Sequence, residues 1–97
     1  MLVNVEFFAN DFDIIDVPDY LAKDIENVQQ KFWDWLYDES SNHNYWTLIN
    51  GIRCYSYGSD EFVDWINKFL LHETDEKAII VSRLLTEYNN DNPTICF

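Results

Sequence analysis

Residues 21–36, LAKDIENVQQKFWDWL, carry apolar side chains three or four positions apart, and this spacing decides the fold of the first half of the chain. An α-helix turns once every 3.6 residues, so residues at this spacing lie on one of its faces. The apolar series is Leu21, Ile25, Val28, Phe32, Trp35 and Leu36. It predicts a helix that starts near Pro18, a residue suited to the first turn, and runs to about Asp38.

Residues 45–57, which follow that helix, predict a β-hairpin. Two runs of apolar and β-branched residues, 45–49 and 52–57, flank the pair Asn50-Gly51. This pair favours a two-residue type I′ turn because both of its positions need positive φ. One face of the hairpin carries aromatic side chains that either anchor a partner or complete a small aromatic core: Trp46, Tyr55 and Tyr57.

The two ends of the chain predict strands. Residues 2–8 alternate apolar and polar side chains, the pattern of a half-buried strand. Residues 94–97, after a turn at 89–93, predict a short final strand. Residues 10–16 mix polar and apolar side chains without a helical period, so we expect a loop there that leads into the first helix.

A second helix is predicted after Gly58, with Ser59 as its cap and an end near His72. Its core residues are expected to be Phe62, Trp65, Ile66 and Phe69. Residues 75–88 fit two structures. We favour a helix because one apolar series recurs there at helical spacing, and the alternative is a buried strand at 78–81. The members of the helical series are Ala78, Val81, Leu85 and Tyr88.

This order of elements indicates the α+β class, in a single domain that covers residues 1–97. We expect one small sheet, built from the N-terminal strand, the central hairpin and the short C-terminal strand, and covered by two or three helices. The chain is 47% apolar and 18% aromatic, so it can bury a core despite a net charge of -12.

The charge is unevenly distributed along the chain. Residues 1–39 hold ten acidic residues against two lysines, residues 40–59 hold only Arg53, and residues 60–97 hold eight acidic residues against three basic ones. Lys and Arg supply most of the affinity of proteins for phosphates, so this balance argues against direct binding of nucleic acid or of anionic membranes. A basic protein surface is the expected partner.

Nothing in the sequence indicates export or membrane insertion. No basic segment followed by an apolar run opens the chain, and 18 consecutive apolar residues occur nowhere in it. Cys54 and Cys96 are expected to be reduced and buried, as is usual for thiols in proteins that are not exported. We therefore expect a cytoplasmic protein.

The outward side of the first helix carries most of the acidic residues that we consider for binding. The candidates are Asp19, Asp24, Glu26, Asp34, Asp38 and Glu39, with Trp33 and Tyr37 beside them as aromatic anchors. Carboxylates at this spacing imitate the phosphates of a nucleic acid; the alternative is a solvated face that only keeps the protein soluble. A second group opens the second helix and either extends the negative surface or stabilises the helix start: Asp60, Glu61 and Asp64.

No arrangement typical of catalysis or metal binding is present in the sequence. The three aspartates at 11, 13 and 16 lack the glycine and the distal glutamate of a calcium loop. His43 and His72 have no second ligand at a metal-binding spacing. With two glycines in the chain, neither a nucleophile turn nor a phosphate loop is formed. We expect no enzymatic activity, no cofactor and no metal.

Small size, acidity, many aromatic residues and no catalytic motif together resemble the inhibitors with which phages and mobile elements block nucleic-acid enzymes, such as anti-CRISPR and anti-restriction proteins. This resemblance is one of physical type and assigns no residue. It implies a protein-binding inhibitor whose acidic face occupies a nucleic-acid groove, in the cytoplasm of a bacterial host. The alternatives are an immunity protein that neutralises a basic toxin, such as a nuclease, and a protein that forms homodimers through the hairpin.

Overall fold

A computed structural model describes residues 1–8, 11–87 and 91–97, and within them the chain has the predicted α+β class. The elements are β1 (Leu2–Phe8), β2 (Asp11–Asp16), α1 (Asp19–Ala22), α2 (Ile25–Tyr37), β3 (Trp46–Ile49), β4 (Ile52–Tyr55), α3 (Ser59–Trp65), β5 (Ile79–Leu85) and β6 (Thr94–Cys96). A π-helical turn, Ile66–Leu70, continues α3. Asn89 and Asn90 of the predicted turn lie outside the described residues.

The main sheet has the strand order β5-β2-β1-β6. Strands β1 and β2 are antiparallel, β2 and β5 are antiparallel, and β6 runs parallel to β1, which confirms both predicted terminal strands. The loop predicted at residues 10–16 is wrong for residues 11–16, because these form β2. In that strand Ile15 pairs with Val3 and both are fully buried, while Asp13 accepts hydrogen bonds from distant groups that the sequence does not reveal.

The helix predicted at residues 75–88 is also wrong, because Ile79–Leu85 is strand β5. It pairs with β2 through two register shifts, and Leu84 has a φ of 54°. These irregularities interrupt the alternation of a regular strand and leave apolar residues at spacings that imitate a helix. Tyr88, the last member of the predicted helical series, lies outside the described residues.

The hairpin is confirmed, but it is not part of the main sheet. Asn50 and Gly51 have φ angles of 53° and 78°, which fits the predicted type I′ turn. Strands β3 and β4 form a separate two-stranded sheet with a regular register from Trp46 opposite Tyr55 to Ile49 opposite Ile52. The expectation of one sheet that includes the hairpin is therefore wrong.

The first predicted helix is divided in two. Helix α1 closes where the backbone N–H of Asp24 donates to the carbonyl of Leu21, and Asp24 then adopts a non-helical conformation as the cap of α2. The apolar series continues across this break, so the hydrophobic period alone does not show it. Helix α2 buries the predicted face in the core that it shares with the main sheet, with Ile25, Val28, Phe32 and Leu36 at most 4% exposed.

Phe32 lies at the centre of an aromatic core between α2 and α3. Its ring is within 6.0 Å, centroid to centroid, of five other aromatic rings, most of them edge-on. These partners are Trp35, Tyr57, Phe62, Trp65 and Phe97. Edge-to-face contacts of this kind add to the stability given by burial alone, so this cluster fixes α2 on the rest of the molecule.

The start of α3 differs from the prediction in its cap. Gly58 is the N-cap, and its backbone N–H donates to the Glu61 carboxylate at 2.8 Å. Ser59, predicted as the cap, is buried and its hydroxyl donates to Asp13 Oδ2 at 2.5 Å. Phe69, predicted as a core residue, lies in the π-helical turn and is 43% exposed.

Candidate interaction surface

Helix α2 and its flanking residues present acidic side chains to solvent. Asp24, Glu26, Asp34 and Asp38 are all exposed, as are Asp19 in α1 and Glu39 beyond α2. At about 100° per residue, Asp24, Asp34 and Asp38 fall within roughly 80° of one another around the helix. Glu26 lies on the flank nearer Trp33 and Tyr37. We call Asp24, Glu26, Asp34 and Asp38 the acidic face.

Neutral hydrogen-bond donors hold three of these four carboxylates. Asn27 Nδ2 donates to Asp24 Oδ1 at 2.6 Å, and Gln30 Nε2 donates to Asp34 Oδ1 at 2.9 Å. The backbone N–H and the hydroxyl of Ser40 both donate to Asp38 Oδ1. The Ser40 backbone N–H, followed by its hydroxyl, lowers the pKa of Asp38. Amide and hydroxyl donors order the carboxylates without cancelling their charge.

Basic side chains do not neutralise the acidic face. Within the part of the chain that the structure describes, none of its four carboxylates lies within 4.0 Å of a Lys or Arg nitrogen. Asp19, by contrast, lies 3.6 Å from the amino group of Met1. Exposed like charges repel one another and lower stability, so the face keeps an uncompensated charge at some energetic cost.

The second acidic group, which opens α3, mostly makes contacts within the protein. Asp60 forms two hydrogen bonds with the Arg83 guanidinium, at 2.7 and 3.0 Å, and this contact lowers the pKa of Asp60. Glu61 caps α3 through Gly58. Two of the three predicted residues thus stabilise the fold. Asp64 is exposed.

The two predicted aromatic anchors have different environments. Trp33 is half-buried, its indole N–H donates to the Tyr57 hydroxyl at 3.2 Å, and its ring lies edge-on to Phe97. Tyr37 is 52% exposed and its ring lies 4.7 Å from that of Tyr55. Partial burial, followed by the nearby Tyr57 hydroxyl, raises the pKa of Tyr37. Tyr37 is therefore the accessible aromatic residue beside the acidic face, whereas Trp33 completes the core.

The hairpin exposes aliphatic side chains that the sequence-based interpretation did not select. Leu48, Ile49 and Ile52 are 62%, 54% and 67% exposed. The aromatic residues predicted as anchors are half-buried instead: the Arg53 guanidinium lies 4.2 Å above the Trp46 ring, and Tyr55 packs on Tyr37. The absence of any acidic residue from 40–59 is the signal in the sequence that distinguishes this region.

The aspartates at 11, 13 and 16 lie on β2, and two of them serve separate contacts. Asp13 accepts from the Ser59 hydroxyl and from the Leu84 backbone N–H, and Asp16 accepts from the amino group of Met1. Over residues 1–8, 11–87 and 91–97, the His, Cys, Asp and Glu side chains form no group of three or more that could hold a metal ion. Both cysteines are free thiols; Cys54 is half-buried, and Cys96 is exposed, contrary to the expected burial.

Comparison of the chain with protein-family models, with curated proteins and with solved structures finds no match. None of the helices in the described residues has the length and apolar character needed to cross a membrane.

Proposed function

We propose that this protein is an inhibitor that binds the basic nucleic-acid groove of a nucleic-acid-processing enzyme, with carboxylates in place of phosphates. The observation that carries the proposal is the set of exposed carboxylates on α2, ordered by neutral donors and without a Lys or Arg partner in the described structure. A binding partner with basic side chains would supply the missing positive charge.

The physical basis of this inhibition is electrostatic competition. Carboxylates four residues apart, such as Asp34 and Asp38, are separated by about 6 Å along the helix axis, which is wider than the charge spacing of a duplex. Because its charges are more widely spaced, the face replaces only some of the phosphates of a backbone and engages a few Lys or Arg side chains. Attraction between opposite charges speeds association and weakens as salt is added. Tyr37 supplies an aromatic contact beside the charges.

The setting that fits this activity is the cytoplasm of a bacterial host. Inhibitors of restriction or CRISPR enzymes, carried by phages and mobile elements, act there on targets whose grooves are rich in Lys and Arg. The rigid attachment of α2 through Phe32 and its ring partners supports such a role, because an array of charges fixed before binding loses little conformational freedom on binding.

The proposal is tested with two variants of equal net charge. The first, Asp24→Asn/Glu26→Gln/Asp34→Asn/Asp38→Asn, neutralises the acidic face. The matched control neutralises four other exposed acidic residues: Glu73→Gln/Asp75→Asn/Glu76→Gln/Glu87→Gln. Each protein is immobilised and incubated with nuclease-treated bacterial host lysate, and the bound proteins are eluted first with duplex DNA and then with 0.5 M NaCl.

We expect the wild type and the control to retain the same basic nucleic-acid enzyme, and duplex DNA to release it. The acidic-face variant should retain at least tenfold less, which corresponds to about 1.4 kcal/mol of binding free energy. Equal retention by the acidic-face variant, or retention that duplex DNA does not reduce, would exclude charge mimicry as the mechanism.

A further inference from the structure

The free sheet edges of this protein are protected to different degrees. Strand β5, one edge of the main sheet, carries two register shifts and a positive φ at Leu84, and β6, the other edge, is three residues long. Bulges and short edge strands are means by which proteins prevent edge-to-edge pairing. The hairpin strands, four residues each, have no bulge, because their four cross-strand pairs follow one another in regular register.

The hairpin also lacks the negative charge through which other parts of two molecules repel each other. No acidic residue occurs between 40 and 59, whereas the whole chain has a net charge of -12. The one charged side chain of the hairpin strands, Arg53, lies over the Trp46 ring. Two copies can therefore meet at their hairpins without bringing carboxylates of those strands face to face.

Both faces of the hairpin expose aliphatic side chains. Leu48 lies on one face, and the cross-strand pair Ile49 and Ile52 lies on the other. Edge-to-edge pairing through β3 brings Leu48 on one face and Ile49 on the other next to the second copy, whereas stacking through one face would leave the other uncovered. A two-stranded sheet is marginally stable alone and gains from further strands.

We propose that two copies of this chain associate through their β3–β4 hairpins, with the two β3 strands paired antiparallel about a two-fold axis to form one four-stranded sheet. Pairing of equivalent strands is antiparallel because a two-fold axis relates them. The contact is small compared with the 1,200–2,000 Å² of a standard interface, so we expect a dissociation constant on the order of 10–100 μM.

This association is independent of the proposed inhibitor function and responds to salt in the opposite direction. Salt screens the repulsion between two molecules of charge -12 and so strengthens the dimer. The same salt weakens the contact between an acidic face and a basic groove. Failure of one proposal therefore leaves the other standing.

The test is sedimentation equilibrium of the purified chain at 5–300 μM, in 50 mM and 500 mM NaCl. We expect the mass to rise from 11.7 kDa toward twice that value as concentration increases, with a dissociation constant about tenfold lower at the higher salt. The variant Ile49→Thr/Ile52→Thr keeps β-branched residues in the strands and should remain monomeric throughout. The matched control, Ile79→Thr/Val81→Thr, removes similarly exposed residues from β5 and should dimerise like the wild type.

Circular dichroism of each variant shows whether the fold is retained. If the double hairpin variant is unfolded, Ile49→Lys takes its place, because a lysine on the pairing edge strand opposes pairing and this side chain is 54% exposed. A monomeric wild type at every concentration and salt would overturn the proposal. So would a dimer that survives the folded hairpin variant, is lost in the β5 control, or weakens as salt is raised.

Discussion

Helix α2 buries four apolar side chains and turns carboxylates to solvent, whereas the β3–β4 hairpin has no fully buried residue and turns aliphatic side chains to solvent. The helix is held by long-range contacts with the sheet and α3. The hairpin depends on its own turn and cross-strand pairs, and on the packing of Tyr55 against Tyr37. The same chain therefore has a rigid surface suited to electrostatic attraction and a marginally stable hairpin suited to apolar contact. Mutations in the two regions should have different consequences.

The largest expected difference is in global stability. Phe32→Ala removes the ring at the centre of the aromatic core and should lower the free energy of unfolding by about 3–5 kcal/mol, a large part of the 5–15 kcal/mol typical of a domain. Leu48→Ala removes an exposed hairpin side chain and should change it by less than about 0.5 kcal/mol. Urea denaturation measures both. Similar losses for the two variants would contradict this division between core and hairpin.

A smaller and local effect is expected at the hairpin turn. Gly51 has a φ of 78°, where a Cβ is unfavourable, so Gly51→Ala should destabilise the hairpin by about 1 kcal/mol. Amide hydrogen exchange should become faster in β3 and β4 and stay unchanged in α2. Asn50→Gly is the control, since glycine readily adopts the φ of 53° found there. Faster exchange throughout the molecule would show that the hairpin is not an independent unit.

The smallest expected effect on stability distinguishes an acidic residue in an ion pair from acidic residues without a basic partner. Asp60→Asn breaks the ion pair with Arg83 and should cost about 0.5 kcal/mol, a modest value because Asp60 is 62% exposed. The lowered pKa of Asp60 means that this stabilisation is present above its unfolded pKa, about 3.9, and is lost as pH falls through the folded value. The difference between wild type and variant should therefore vanish in acid.

Asp34→Asn is the comparison for this variant on the acidic face. It should leave stability at pH 7 unchanged or raise it slightly at low salt, because it removes one of several repelling charges. Thermal unfolding at pH 7 and pH 3 measures both variants. A destabilisation by Asp34→Asn at pH 7 equal to that of Asp60→Asn would show that the acidic face is structural.

Local patterns in the sequence predicted the elements whose structure depends on local interactions. The alternation in residues 2–8, the Asn50-Gly51 turn and the apolar face of α2 were all confirmed. Strand β2 was missed, and β5 was given only as the alternative at residues 78–81, because the structure of both depends on long-range pairing. Asp13 in β2 is satisfied by Ser59 and Leu84, 46 and 71 residues away, and the bulges of β5 disturb its alternation.

The candidate site was predicted only in part, because some of its residues depend on long-range contacts. The helical period correctly placed Asp24, Asp34 and Asp38 on the outside of α2. It could not show that Arg83, 23 residues from Asp60, neutralises that carboxylate, or that Trp33 is held by Tyr57. The alternation of the predicted hairpin drew attention to its aromatic residues, although packing covers these and leaves the aliphatic ones exposed.

Carbodiimide cross-linking of the captured complex tests the role of the acidic face most directly, because it joins carboxylates to lysines that are in contact, whichever enzyme is bound. The cross-linked peptides, identified by mass spectrometry, should join Asp24, Asp34 and Asp38 to lysines in the nucleic-acid groove of the partner, and duplex DNA should suppress them. Cross-links concentrated at Glu73, Asp75 and Glu76, with none from α2, would contradict the account.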